Sequence, residues 1–318
     1  MQSKTENKKK KRSFNSRHPK FRQVSYFMLG IGIIVALALP LPLFILPKKI
    51  LYFLGRKIGL IFVYPSIREK IQKNLYYVYG KRMTEKRVTA IAKKIAANNI
   101  YFIIDCYYLW IFHFSFDINK AVVKTFGKNF PVNSLKNGKG VIGTTGHYGC
   151  FEIIPVYFLD MKLVDVGGVI ARSFPSPFLT WLNRRARLTT GIPSFYDQVK
   201  DIFKALRSNG VIGFLPDLRA KRRLGVKSTF FGKPTLTLDV HIRLSSQLGS
   251  AIIPVFLNRH RAKPWEFSII FYEQISVPKK ADSEMIKQKV QEVNDALEYH
   301  IRRYPSGWFW FNNKWKLW

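Results

Sequence analysis

Hydrophobic positions change their spacing twice along the chain. Residues 24–46 hold no charged side chain, and an apolar run of that length reaches the roughly 20 residues a helix needs to cross a bilayer core. Lys48 and Lys49 close the run, and Pro40 and Pro42 fall late in it, where proline kinks or ends a helix. Both flanks are basic, so charge does not orient the segment, and a single span and a re-entrant anchor both stay open. Its length and the lack of an A-x-A site after it speak against a signal peptide. Residues 48–126 then read mostly helical. Val88, Ile91, Ile95, Phe102 and Ile103 recur near helical spacing, with Lys86, Arg87, Lys93 and Lys94 off that stripe, and Thr84 suits an N-cap. Residues 101–114 are aromatic nearly all round, as in a helix buried deeply or laid against lipid or an acyl chain.

From Gly138 the pattern alternates. Short apolar runs at 141–142, 163–170, 211–215, 251–256 and 267–275 read as strands. Helical stretches fall between them at 153–159, 177–188, 198–207 and 235–248, and a last one at 283–303. Such alternation predicts an α/β fold, a mostly parallel central sheet flanked by helices, behind an N-terminal membrane helix. The expected organisation is a basic disordered tail at 1–23, an anchor at 24–47 and one domain at 48–318, with a helical lead-in at 48–126 and an α/β core at 127–318.

Charge changes this picture. The 318 residues carry 53 Lys and Arg against 19 Asp and Glu, a net charge of +34. A balance this basic implies acidic partners: anionic lipid, phosphate-bearing substrates, an acidic carrier protein or nucleic acid. The uncharged run beside the basic tail argues for lipid over nucleic acid. Cys106 and Cys150 are the two cysteines, too few for a disulfide framework or a zinc site. Cys150 is read as a small buried residue rather than a nucleophile.

The richest stretch is 141–152, VIGTTGHYGCFE, in which a strand ends in a small-residue turn, a histidine follows and a helix begins. His147 and Glu152 lie five apart, roughly 140° around a helix, so they share a site only if His147 stands in the turn and Glu152 in the first helical turns. The arrangement suits a general base, His147, oriented by a carboxylate, Glu152; the competing reading is a turn histidine with an unrelated glutamate. Three further blocks follow. VGGVIARS ends a strand in Arg172, placed to hold a phosphate or to pair with Glu152. GFLPDLR sets Asp217 and Arg219 in a turn after a strand, and AIIPVF reads as a core strand. The residues between Arg219 and Lys233 read as a loop mixing cations with Phe230 and Phe231, suited to an anionic amphiphile. Trp308, Trp310, Trp315 and Trp318, interleaved with cations near the C-terminal end, suggest a membrane interface.

In order and spacing these four blocks resemble those of the HX4D/E acyltransferases, and more closely the lipid A biosynthesis (lauroyl/myristoyl) acyltransferases. Glu152 in place of aspartate, Pro216-Asp217, Phe230-Phe231-Gly232-Lys233-Pro234, and Arg302-Arg303-Tyr304-Pro305 with Trp308 and Trp310 carry the closer likeness. Tyr148, Cys150-Phe151 and Leu218 depart from the usual pattern. The resemblance implies transfer of a fatty acyl group from acyl carrier protein to a hydroxyl of a lipid A precursor, an anionic glycolipid. It further implies His147 and Glu152 as the catalytic residues, with Arg172, Asp217, Arg219 and Lys233 supporting. Backbone N–H groups just after Gly146 would serve as oxyanion donors. It implies no cofactor, no metal and no nucleic acid partner, and a place at the bacterial inner membrane with the catalytic domain facing the cytoplasm. Two alternatives stand beside it: another glycolipid or phospholipid acceptor, and a basic membrane-attached binding protein without catalysis.

Overall fold

The structure, a computed structural model, describes residues 38–160, 166–196 and 198–317. The expected basic tail and most of the expected anchor at 24–47 lie outside the described residues. Helix α1 (Lys48–Ile58) continues through a π-helical turn (Gly59–Val63) into α2 (Tyr64–Tyr79). This continuous helix is the one among the described residues long and apolar enough to cross a membrane. One side of it packs along α3 (Glu85–Trp110), burying Leu51, Tyr52, Ile71 and Leu75. Gly59 allows the close approach, since a Cβ there would stand 2.6 Å from the Ala96 carbonyl oxygen. The other side exposes Phe53, Ile58, Ile61 and Phe62. Thr84 caps α3, accepting from the Arg87 N–H at 3.4 Å, and Val88, Ile91 and Ile95 form its buried stripe as the periodicity predicts.

The α/β part follows in the order α4 (Ile118–Ala121), β1 (Val122–Phe126), α5 (Asn129–Leu135), β2 (Val141–Thr144), α6 (Ile153–Asp160), β3 (Gly167–Ile170), α7 (Pro177–Leu188), β4 (Ser194–Phe195), α8 (Val199–Arg207) and β5 (Val211–Phe214). A hairpin of β6 (Gly225–Phe230) and β7 (Lys233–Leu238), helix α9 (Val240–Leu248), β8 (Ala251–Arg259), β9 (Phe267–Phe271) and α10 (Ser283–Arg303) complete it. The main sheet has the order β1-β9-β8-β2-β5-β3-β4 and is parallel at every pairing except β8 with β9. Alternate residues feed two cores, as strand geometry requires. Ile142, Ile212 and Ile252 pack with α8, α9 and α10, and Val141, Val211 and Ile253 pack with α5 and α6.

Three expectations are corrected. Residues 122–126 form an edge strand inside the stretch read as helical. Residues 225–238 form a hairpin where a loop, and then a helix from 235, was expected; Phe231 and Gly232 turn it with φ of 54° and 69°, the left-handed conformation of a two-residue hairpin turn. Charge masked its alternation: Lys227 and Lys233 sit among the β-branched residues. Three of the four C-terminal tryptophans expected at an interface are in the core, and Trp318 lies outside the described residues. Trp308 and Trp310 are fully buried and Trp315 nearly so, packed on Phe230 and Phe231.

A buried ion pair ties the helical lead-in to the sheet. Asp105 of α3 takes Arg259 of β8 and the Tyr52 hydroxyl of α1, and all three side chains are almost wholly out of water. Removing one partner strands a charge in the core. Arg259→Met should lower stability by about 3–5 kcal/mol, read as a fall in thermal midpoint, and Arg259→Met with Asp105→Leu should recover most of it.

Candidate active site

The register of the sheet assembles the site. β2 and β5 are parallel neighbours with Thr144 opposite Phe214. Three residues beyond each of those positions stand His147 and Asp217, so the two turns leave the carboxyl edge of the sheet side by side, where α/β sites form. Asp217 is fully buried. Its Oδ1 lies 2.8 Å from His147 Nδ1, and its Oδ2 accepts from the His147 backbone N–H at 2.8 Å and from the Trp308 indole N–H at 2.8 Å. Burial alone would favour the neutral acid, but His147 and these donors outweigh it and hold the carboxyl below the usual aspartate range. An ionised Asp217 accepts the hydrogen bond from Nδ1–H, which leaves Nε2 as the free lone pair of the neutral ring. Burial disfavours the imidazolium, yet the charge and hydrogen bond of Asp217 prevail, and His147 is raised above the ordinary value of 6.5.

Glu152, which the sequence suggested as the orienting carboxylate, makes its hydrogen bonds to Arg187 rather than to the imidazole. Buried in the first turns after His147, it receives Arg187 of α7 in a fork, Nε at 2.9 Å and Nη2 at 2.5 Å. A two-point guanidinium–carboxylate pair of this kind is strong and directional. Glu152 acts on His147 through its charge, as a smaller upward influence than Asp217. Arg172 does not pair with it. Arg187 was missed because it is one of three arginines near the end of an amphipathic helix; the signal was Glu152 itself, an acid in an apolar helix start that needs a counter-charge.

His147 is about a quarter exposed and lines a cavity of about 800 Å³. Glu152, Arg172, Arg187, Arg219 and Lys221 supply its charged wall. Its apolar wall includes Ile154 and Phe158 of α6, Val169 and Val255, and the Gly143–Gly213 pair of β2 and β5. Phe102, Phe151 and Phe309 collar the imidazole: Phe151 stands 5.3 Å from it edge to face, and Phe102 stacks on Phe151. Phe102 is where the aromatic helix meets the site. Lys233 does not line the cavity; its Nζ sits over the Tyr77 ring at 5.0 Å.

The N–H groups expected to serve an oxyanion are engaged. His147 donates to Asp217, Tyr148 to the Gly146 carbonyl and Gly149 to the Gly307 carbonyl. Thr145 Oγ1 and Arg219 Nε, by contrast, are buried without a hydrogen-bond partner among the described residues, and both residues line the cavity. Cys150 is fully buried and its thiol is pushed well up by burial, the reverse of an activated nucleophile. No group of His, Cys, Asp and Glu among the described residues is arranged to hold a metal ion.

A base-competent imidazole thus stands at an apolar cavity with a cationic wall. No protein of curated function matches the chain. The model of one family, bacterial lipid A biosynthesis acyltransferase, matches residues 14–317, nearly its whole length, and the chain belongs to that family.

Proposed function

We propose that the protein transfers a fatty acyl group from acyl carrier protein to a hydroxyl of a lipid A precursor, as a late acylation, with the His147–Asp217 pair as its general base. The reading rests chiefly on the hydrogen bond between Asp217 and His147 Nδ1 at the cavity wall. His147 Nε2 takes the acceptor hydroxyl's proton as that oxygen attacks the thioester carbon, and Asp217 stabilises the imidazolium that forms. The tetrahedral oxyanion is met by the Thr145 hydroxyl and Arg219. Collapse breaks the carbon–sulfur bond, and the proton on His147 goes to the departing thiolate. The acyl chain lies in the apolar half of the cavity, over the Gly143–Gly213 floor. Arg172 and Lys221 face the acceptor's anionic groups, and Arg187 with Glu152 holds the wall between the two halves. The exposed apolar side of the α1–α2 helix rests on the membrane, and both substrates reach the site at that surface. An inner-membrane site facing the cytoplasm fits a cytoplasmic acyl donor. A protein without catalysis would have no use for an aligned base beside a cavity of this size.

Four outcomes test this reading in the purified protein, with a fatty acyl thioester of acyl carrier protein and a lipid A precursor. His147→Ala lowers turnover by about 10²–10⁴-fold with the fold intact. The pH profile of kcat/KM in the wild type rises through an acid limb above 6.5, since the base must be neutral and its pKa is raised. Asp217→Asn lowers both the plateau and the limb, because the charge favouring the imidazolium is gone; Glu152→Gln moves the limb much less. Equal shifts in these two variants would return the orienting role to Glu152. Gly143→Leu, which fills the cavity floor, lowers transfer of long acyl chains more than short ones, measured across a series of chain lengths.

A further inference from the structure

The segment after α10 has no role in the steps above, yet it touches both turns of the site. Its backbone holds the His147 turn. Tyr148 and Trp308 form an antiparallel bridge, the Gly149 N–H donates to the Gly307 carbonyl at 2.9 Å, and the Phe309 N–H donates to the His147 carbonyl at 3.1 Å. The fit leaves no spare room: a Cβ on Gly307 would overlap the Tyr148 ring, and one on Gly149, at φ +55°, would meet the Leu257 carbonyl oxygen at 2.5 Å. Its side chains hold the Asp217 turn. The Trp308 indole N–H donates to Asp217 Oδ2, and Lys314 Nζ reaches the carbonyls of Pro216 and Leu218, at 3.4 and 3.5 Å, on either side of Asp217.

Lys314 is fully buried, and no carboxylate takes its ammonium in an ion pair among the described residues. Burial pushes its pKa down to about 8. A lysine so placed is costly to keep in a core, and it sits under the turn that carries the orienting carboxylate. The strap itself is anchored from the helical lead-in. Asn74 of α2 donates to the Trp310 and Asn312 carbonyls at 2.5 and 2.9 Å, and Asn98 of α3 donates to the Ser306 carbonyl at 2.9 Å.

We propose that residues 304–314 form a strap that belongs to the catalytic apparatus, with Trp308 and Lys314 as positioning residues that fix Asp217 while the strap backbone fixes the His147 turn. This rests on the reading of His147 and Asp217 as the base pair. Trp308 draws part of the Asp217 charge to Oδ2 and keeps Oδ1 aimed at the imidazole; Lys314 moderates the same charge from below. Together they set how tightly Asp217 holds a proton on His147.

The test titrates His147 by NMR in the full-length protein in detergent, its resonance assigned with His147→Gln, beside the pH profile of kcat/KM for acyl transfer from an acyl carrier protein thioester. In Trp308→Phe the indole donor is lost, Asp217 binds the imidazolium more tightly, and the His147 pKa and the acid limb both rise by about one pH unit. The kcat falls about tenfold with KM little changed. Lys314→Met moves both readouts in the same direction and carries the test if Trp308→Phe does not fold. Trp310→Phe, whose indole donates to the Pro305 carbonyl instead, leaves the His147 titration in place. A folded Trp308→Phe and Lys314→Met that titrate as wild type, whatever their rates, overturn the inference while the base pair stands. Near-normal turnover in Asp217→Asn overturns the base pair and the inference with it.

Discussion

One buried carboxylate organises the active end of the molecule. Asp217 has no contact with water, and an acid in such a place is tolerated as an anion only if donors surround it. Three do: the ring and the backbone N–H of His147, and the indole of Trp308. Each comes from a different constraint. The ring arrives through the in-register pairing of β2 and β5, the backbone N–H through the tight turn after Thr145, and the indole through a segment more than ninety residues further along the chain. Shifting any of them leaves either the anion or the imidazole unsatisfied. The alignment of the imidazole is therefore a by-product of solving a burial problem, and the same bonds that stabilise the anion set the tautomer of the ring.

Much of the scaffold was legible in the sequence because it rests on periodicity. The limits of α7 and α10 and the Thr84 cap follow from apolar spacing and a hydroxyl at a helix start. The blocks that carry His147, Arg172, Asp217 and Arg219 were visible as turns following strands; the cavity brings His147, Arg172 and Arg219 together, and Asp217 lies buried behind the imidazole. What spacing along the chain could not give was pairing across it. The five-residue separation of His147 and Glu152 made them look like partners, yet a neighbour seventy residues away wins because adjacent parallel strands align their exits. A sequence argument had the means to see this: His147 and Asp217 follow their strands at equal offsets. Trp308, Trp310 and Trp315 misled for a related reason. Beside cations they resemble a membrane belt, but here they fill the core between the hairpin and the strap, and Lys314 points inward with them.

Glu152 and Arg187 make a second buried pair beside the first, and Asp105 with Arg259 a third behind it. In a chain with a net charge of +34, several of the scarce acids are thus spent in the interior, each matched to a base. This leaves an excess of cations outside. It also explains why charge counting alone could not locate the site. The side chains that matter most are the neutralised ones.

The fold contains two other imidazoles that make a useful contrast. His300 is stacked flat on Phe256 and hydrogen-bonded between the Tyr272 hydroxyl and the Asn258 amide oxygen, and His241 is buried against Phe214. Neither has a carboxylate partner among the described residues, and burial depresses both to about 3. Across the neutral range these rings are electrically silent. Of these three rings only that of His147 is held ready to change charge in this range, and the two depressed rings add no titrating background of their own.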